Sequence, residues 1–252
     1  MFYWVLKAIL KPLLRSIYRI RVEGLENVPK KGPAIIAANH VSFLDSFFIP
    51  LVIRWRKMTY LAKVDYFKSW KTAWFFRSAG QIPCEREGGK RSEQSLHIAL
   101  EVLGEGKLLG IYPEGTRSPD GSLHRGRTGV ARLALQADAP VIPCGVIGTD
   151  KVMAKEAKLP TFLLWSRRSP YLHRPEVVVR YGEPLDLSRY AGKERDREAL
   201  RAVTDEIMYE IRRLSGQRYK DEYASRTPSI PLPESMYPVE DDSKLSEEPL
   251  AG

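Results

Sequence analysis

"AIIAANHVSFLD", residues 34–45, decides how the rest of the chain is read. Its first five residues, Ala34-Ile35-Ile36-Ala37-Ala38, form an unbroken apolar run. A run that short, without polar alternation, predicts a strand buried on both faces, as in parallel sheets. The character then changes. His40 and Asp45 stand five residues apart, at a place where packing alone needs neither. On a regular helix, residues five apart point about 140° away from each other. The two side chains therefore meet only if His40 precedes a helix and the chain turns between them. Ser42, with Asp45 three residues later, forms an S-x-x-D capping box and predicts a helix starting near Phe43. His40 then sits in a strand-to-helix loop and Asp45 in the first helical turn. Two readings fit. One is a simple helix cap beside an ordinary loop histidine. The other is a dyad, in which the carboxylate holds one imidazole nitrogen and leaves the other as a general base.

The same grammar repeats outward from this stretch. Strands are predicted at 58–62, 107–112, 141–147 and 177–181, and helices at 43–54, 66–78, 91–104, 126–137 and 193–215. Strands alternating with helices predict an α/β fold: a single domain with a largely parallel sheet flanked by helices. A second loop, "IYPEGTRS" at 111–118, also follows a predicted strand. In a parallel sheet it opens on the same edge as the His40 loop, where such folds bind ligands. Gly115 allows close backbone approach, and Thr116 and Arg117 supply donors suited to a phosphate or carboxylate. A third loop, "GQIPCEREGGKR" at 80–91, offers Arg86, although a solvated basic loop would look the same.

The chain has 252 residues and a net charge of +9, which suits one domain with a sizeable core and an anionic partner. Nothing resembles a helix-turn-helix, a zinc finger or an aromatic RNA-binding signature, so the basic balance does not point to nucleic acid. Cys84 and Cys144 are read as small buried hydrophobes in a reducing setting. No His/Cys cluster has metal-ligand spacing, and no Gly-x-Ser-x-Gly elbow is present. Residues 1–22 read as an amphipathic helix. Lys7, Lys11, Arg15 and Arg19 share an arc of about 120°, opposite Leu6, Ile9, Leu10, Leu13, Leu14 and Ile17, with Pro12 as a potential kink. The basic residues interrupt any uncharged run long enough to span a bilayer. Such a helix either lies in an interface with anionic lipids, helped by Phe2, Tyr3 and Trp4, or packs on the protein's own core. From Arg226 the composition turns to Pro, Ser and acid, with two basic and six acidic residues. That segment, 226–252, is expected to be disordered, which leaves 23–225 as the folded domain with residues 1–22 before it.

The blocks in this order resemble the glycerophospholipid acyltransferase family, whose best-known members are the 1-acylglycerol-3-phosphate acyltransferases. Asn39-His40-Val41-Ser42-Phe43-Leu44-Asp45 matches its first block, Asn-His-x-Ser-x-x-Asp. "GQIPCER" matches the second, with Glu85 where the family usually has Asp. "YPEGTRS" matches the third with Tyr112 in place of Phe, and "PVIPCGVIG" the fourth. The resemblance covers about residues 20–190.

The resemblance implies that His40 is the catalytic base and that Asp45 orients it. It implies transfer of a fatty acyl group from acyl-CoA or acyl carrier protein to the sn-2 hydroxyl of lysophosphatidate, giving phosphatidate. No cofactor or metal is implied, because a thioester donor is already activated and the acceptor alcohol needs only a base. The implied phosphate-binding set is Arg86, Gly115, Thr116 and Arg117. Glu114 belongs with them as the organiser of the loop, and Lys63, Arg125 and Arg127 are further candidates. The expected partners are lysophosphatidate, acyl-CoA and a membrane surface with anionic lipids, with no nucleic acid. The expected location is the cytoplasmic face of a membrane, as a peripheral or monotopic protein. The alternatives are another lysophospholipid or a glycolipid as acceptor, or a membrane-bound lipid hydrolase using the same His/Asp pair.

Overall fold

Ala34–Ala38 is buried at every position, and it forms the central strand of the molecule. The computed structural model describes residues 2–84, 89–152 and 174–224. Within these, seven strands make one sheet: β1 (Arg19–Glu23), β2 (Ala34–Ala38), β3 (Met58–Lys63), β4 (Ile82–Cys84), β5 (Leu108–Ile111), β7 (Val141–Ile147) and β8 (Glu176–Tyr181). Their spatial order is β1-β8-β7-β2-β5-β3-β4. Every neighbouring pair is parallel except β7 with β8, so the expected largely parallel sheet is present. A separate two-stranded ribbon joins β6 (Leu123–His124) to β9 (Tyr219–Lys220).

The central strand explains the layering. Ala34, Ile36 and Ala38 face one apolar cluster, and Ile35 and Ala37 face another. Period-two alternation sends successive side chains to opposite faces, so a strand covered on both sides must be apolar throughout. The first cluster is closed by α2 (Asp45–Val52) and by Leu14 and Ile17 of α1 (Phe2–Ile17). The second is closed by α4 (Gly89–Gly104), α5 (Gly129–Gln136) and, beyond the short α6 (Thr149–Val152), α7 (Arg197–Ser215). Helix α7 starts at Asp196, whose carboxylate accepts from the backbone N–H groups of Glu198 and Ala199. It ends at Gly216 in the left-handed region. Its last turn passes so close to β7 that a Cβ on Gly145 would lie 2.6 Å from the Leu214 backbone.

Several expectations need correction. The helix expected over 1–22 ends at Ile17, and Arg19–Glu23 is an edge strand instead. The basic spacing continued past the true boundary, but Ile20 and Val22 alternate as a half-buried strand does and pack on the first cluster. The helix expected over 66–78 is a 3-10 turn, Val64–Phe67, followed by α3 (Trp70–Ser78). The helix expected from Phe43 begins at Asp45, with Leu44 as its cap residue. The short strands β4, β6 and β9 were not expected at all; each is only two or three residues long and depends on a neighbour for its hydrogen bonds. The tail at 226–252, Glu85 and Arg86 lie outside the described residues.

Candidate active site

The turn between β2 and α2 is built by Asp45. Its Oδ2 accepts from the His40 ring Nδ1 at 2.9 Å, from the Val41 backbone N–H at 2.9 Å and from the Ser42 N–H at 2.8 Å. Its Oδ1 accepts from the Thr149 hydroxyl. The carboxylate half of the expected capping box is thus present, and the same carboxylate holds the histidine. The serine half is weak: Ser42 Oγ accepts from Leu44 N at 3.4 Å. Asp45 and Thr149 are fully buried, and such a carboxylate is tolerated because each oxygen is satisfied. Asp45 thus fixes the imidazole through Nδ1.

Asn39 anchors the loop from the other side. Its amide donates to Val146 O at 2.9 Å and accepts from Val146 N at 2.7 Å, so the side chain adds one rung between β2 and β7. The "YPEGTRS" loop then clamps the histidine's backbone. Glu114 Oε1 accepts from His40 N at 3.1 Å, and Ser118 N donates to His40 O at 2.7 Å. The second Glu114 oxygen accepts from His124 N at 3.0 Å. Glu114 is buried, and both its oxygens serve backbone donors. It therefore lies beneath the loop and organises it. Burial pushes its carboxyl up to about 8, against the pull of the two backbone N–H groups. Gly115 closes the turn by donating its N–H to Tyr112 O at 2.9 Å, with a φ of 76° that favours glycine.

Tyr112 has a further role that the sequence did not reveal. Its ring stacks on His40, with centroids 3.8 Å apart and planes 9° from parallel. Its hydroxyl is 2.8 Å from Ser46 Oγ. This stack and the Asp45 contact leave the imidazole little rotational freedom. Thr149 was also missed. A signal for it existed: "GTD" follows the predicted strand at 141–147, and β7 runs parallel to β2, so both ends reach the same sheet edge.

His40, Thr116 and Arg117 meet at one cavity of about 420 Å³. From there the lining is mainly apolar, supplied by Phe43, Phe47 and Leu51, by Phe75 and Phe76 of α3, and by Leu6 and Leu10 of α1. The one cation of α1 in this lining is Lys7, which is only 9% exposed. Its ammonium donates to the carbonyl of Ile53, at the end of α2. Burial, then the neighbouring Lys11, pushes Lys7 down to about 8. Part of the basic arc of α1 therefore faces the protein. The outward ridge is apolar, with Val5 at 55%, Ile9 at 61% and Leu13 at 50% exposure. Trp70 and Trp74 of α3 are also exposed, and Trp74 touches α1 through Phe2, with ring centroids 4.7 Å apart.

The remaining predicted residues divide. Lys63 ends β3, but its side chain lies outside the described residues, as does all of Arg86. Arg127 lies against the Gly115 turn: its N–H donates to Pro113 O at 2.8 Å, and a Cβ at position 115 would come within 3.0 Å of its Nε. Arg125 sits two residues earlier, 3.6 Å from Asp221. Cys144 is a buried free thiol, as expected, while the Cys84 side chain lies outside the described residues. Among the described residues no group of three or more His, Cys, Asp or Glu side chains is placed to hold a metal ion.

Comparison with known proteins bears on this arrangement. Residues 19–147 match the family model described as Acyltransferase. The chain is 32% identical over 137 residues to the chloroplastic 1-acyl-sn-glycerol-3-phosphate acyltransferase LPAT1 of Arabidopsis thaliana, covering 54% of this chain and 38% of that protein. It thus spans well under half the length of that relative. It is 26% identical over 211 residues to the 1-acyl-sn-glycerol-3-phosphate acyltransferase of Bacillus subtilis, covering 82% of this chain and 94% of the relative. In fold it is similar to the crystal structure of the 1-acyl-sn-glycerophosphate acyltransferase PlsC of Thermotoga maritima. The TM-score is 0.60 at 24% identity, covering 83% of this chain and 79% of the other.

Proposed function

The chain belongs to the acyltransferase family, and from that premise we propose that it moves a fatty acyl group from a thioester to the sn-2 hydroxyl of a 1-acylglycerol-3-phosphate, giving phosphatidate. The observation that carries this reading is the His40–Asp45 pair, 2.9 Å apart, at the mouth of an apolar cavity beside Thr116 and Arg117. The relatives named for the same reaction support it.

In the proposed reaction the acceptor hydroxyl meets His40 Nε2. The imidazole takes its proton as the alcohol oxygen attacks the thioester carbonyl. A new C–O bond forms, the C–S bond breaks, and the departing thiolate recovers the proton from the imidazolium. Asp45 stabilises that imidazolium without itself being protonated. A positioned base of this kind contributes roughly 10²- to 10⁴-fold. Arg117 and Thr116 take the acceptor's phosphate by charge-assisted and hydroxyl hydrogen bonds. The donor's acyl chain lies in the cavity along α2, whose eight residues span about 12 Å. Acyl-CoA and acyl carrier protein both satisfy this chemistry, and neither requires a cofactor or a metal.

Acceptor and product are membrane lipids, so the enzyme must meet a bilayer. The exposed Val5, Ile9 and Leu13 of α1, with the exposed Trp70 and Trp74 of α3, support docking on the cytoplasmic face of an anionic membrane as a peripheral or monotopic protein. Among the described residues no helix is long and apolar enough to cross a membrane. The deciding experiment supplies labelled acyl-CoA and lysophosphatidate in vesicles. Labelled phosphatidate is expected. Free fatty acid alone means hydrolysis, and product only with a different lysolipid or a glycolipid means another acceptor.

A further inference from the structure

The last described residues, 216–224, turn back from α7 and run across the loop that follows the Glu114–Ser118 turn. Gln217 Nε2 donates to Gly121 O at 2.7 Å, Leu123 N donates to Arg218 O at 2.9 Å, and Arg125 N donates to Glu222 O at 3.0 Å. Between these bonds β9 pairs with β6, and the Lys220 ammonium meets Asp120. Asp120 also hydrogen-bonds the buried His124 ring at 2.9 Å. The segment is therefore stitched along its length to the loop carrying Arg125 and Arg127.

This stitching delivers Tyr223 to a particular place. Its ring centre lies 5.7 Å from the Arg125 guanidinium carbon and 5.4 Å from that of Arg127. Two guanidinium groups so close to one ring repel each other. The ring's negative face offsets part of that repulsion. Arg125 also has Asp221 within 3.6 Å. The Arg127 side chain runs past the Gly115 turn, where a Cβ at that position would lie 3.0 Å from its Nε and 3.1 Å from its Cδ. That turn carries Thr116 and Arg117 to the cavity mouth. A phosphate seated there would meet a second guanidinium already held in place, which reduces the ordering cost of binding.

We propose that Tyr223 is a positioning residue for the phosphate of the acceptor: it holds the Arg127 guanidinium beside the Gly115 turn so that Arg127 and Arg117 grip the phosphomonoester together. The proposal rests on the acyltransferase reading above. It assigns the segment after α7 a share in acceptor affinity and none in the proton transfer at His40.

The test is steady-state kinetics on the full chain, with lysophosphatidate and acyl-CoA varied in turn, for wild type, Tyr223→Leu, Tyr223→Phe, Arg127→Gln and the Tyr223→Leu/Arg127→Gln double variant. Melting temperatures check that each variant is folded. Tyr223→Leu is expected to raise KM for lysophosphatidate about three- to tenfold, with kcat and KM for acyl-CoA within about twofold of wild type. Tyr223→Phe keeps the ring face and should behave as wild type. In the Arg127→Gln background, Tyr223→Leu should add nothing, because the two act through one contact. An unmoved acceptor KM overturns the proposal. So does an equal rise in the acyl-CoA KM, which would assign the arginine to the donor's phosphates, or an undiminished Tyr223 effect without Arg127. Loss of turnover in wild type itself would overturn the acyltransferase reading; wild-type turnover with an insensitive acceptor KM overturns this inference alone.

Discussion

His40 is held at its backbone N–H by Glu114, at its carbonyl by Ser118, at Nδ1 by Asp45 and on its ring face by Tyr112. In the proposed reaction, a base fixed on so many sides loses no geometry when the transition state forms. His40→Ala should therefore lower kcat by about 10²-fold or more while leaving the fold intact, since the buried Asp45 carboxylate keeps the Val41 and Ser42 backbone donors and the Thr149 hydroxyl. Turnover within about threefold of wild type would remove the dyad from the mechanism. Glu114 makes a separate prediction about pH. Its folded-state carboxyl is raised from 4.5 to about 8, so between those values the folded protein holds a proton that the unfolded chain has released. The contribution of Glu114 to stability is then fully present below about pH 4.5 and is lost as pH rises towards 8, with a slope bounded by about 1.4 kcal/mol per pH unit. Urea midpoints compared at pH 5 and pH 8 for wild type and Glu114→Gln isolate it. The wild type should lose more stability over that interval than the variant; equal losses would show that Glu114 is ionised throughout. The Gln amide also meets a backbone donor with a donor, so the variant should be the less stable protein at pH 5.

At the scale of elements, two pieces bear on the proposed function by where they stand. The 111–118 loop puts Thr116 and Arg117 at the cavity mouth while its buried Glu114 ties it to the His40 loop. Arg117→Ala should raise KM for a phosphorylated acceptor at least tenfold and leave KM for acyl-CoA nearly unchanged, because a charge-assisted contact to phosphate is worth about 1.5–3 kcal/mol. Equal changes in both constants would place Arg117 elsewhere in the reaction. Helix α1 divides its apolar surface between two tasks. Leu6 and Leu10 line the cavity and Leu14 and Ile17 join the core, while Val5, Ile9 and Leu13 face outwards. Replacing Ile9 and Leu13 together by Asp removes two side chains each worth about 1.5–3 kcal/mol on burial, so vesicle binding measured by flotation should fall at least tenfold with little change in melting temperature. Unchanged flotation would mean that this ridge does not meet the bilayer.

At the scale of the whole molecule, charge and shape combine. The sequence carries a net charge of +9 while the segment 226–252 has two basic and six acidic residues, so the positive charge resides in residues 1–225. Binding to vesicles rich in anionic lipid should therefore weaken as salt rises from about 0.1 M to about 1 M, where the screening length falls from about 10 Å to about 3 Å. Binding that ignores salt would assign the attachment to apolar contact alone. Much of this protein is settled locally. The all-apolar Ala34–Ala38 run specifies a central strand because a strand covered on both faces has no polar position. Asn39, His40, Ser42 and Asp45 lie within one turn of chain, so short-range geometry already allows the dyad. Other features depend on chain segments far apart in sequence, and local pattern is silent about those. Arg19–Glu23 becomes a strand only because β8 offers an edge, and otherwise it continues the helical spacing before it. Thr149 reaches Asp45 across 104 residues, and Tyr112 reaches the His40 ring because two parallel strands end side by side. Lys7 shows the same limit most sharply. By sequence it belongs to a solvent-facing basic arc; in the fold it is buried, because the free carbonyl of Ile53 at the end of α2 gives its ammonium a partner there. The residues of the proposed chemistry were therefore written side by side in the sequence, while the walls of the cavity and the outward face of α1 were decided by which surfaces packing left uncovered.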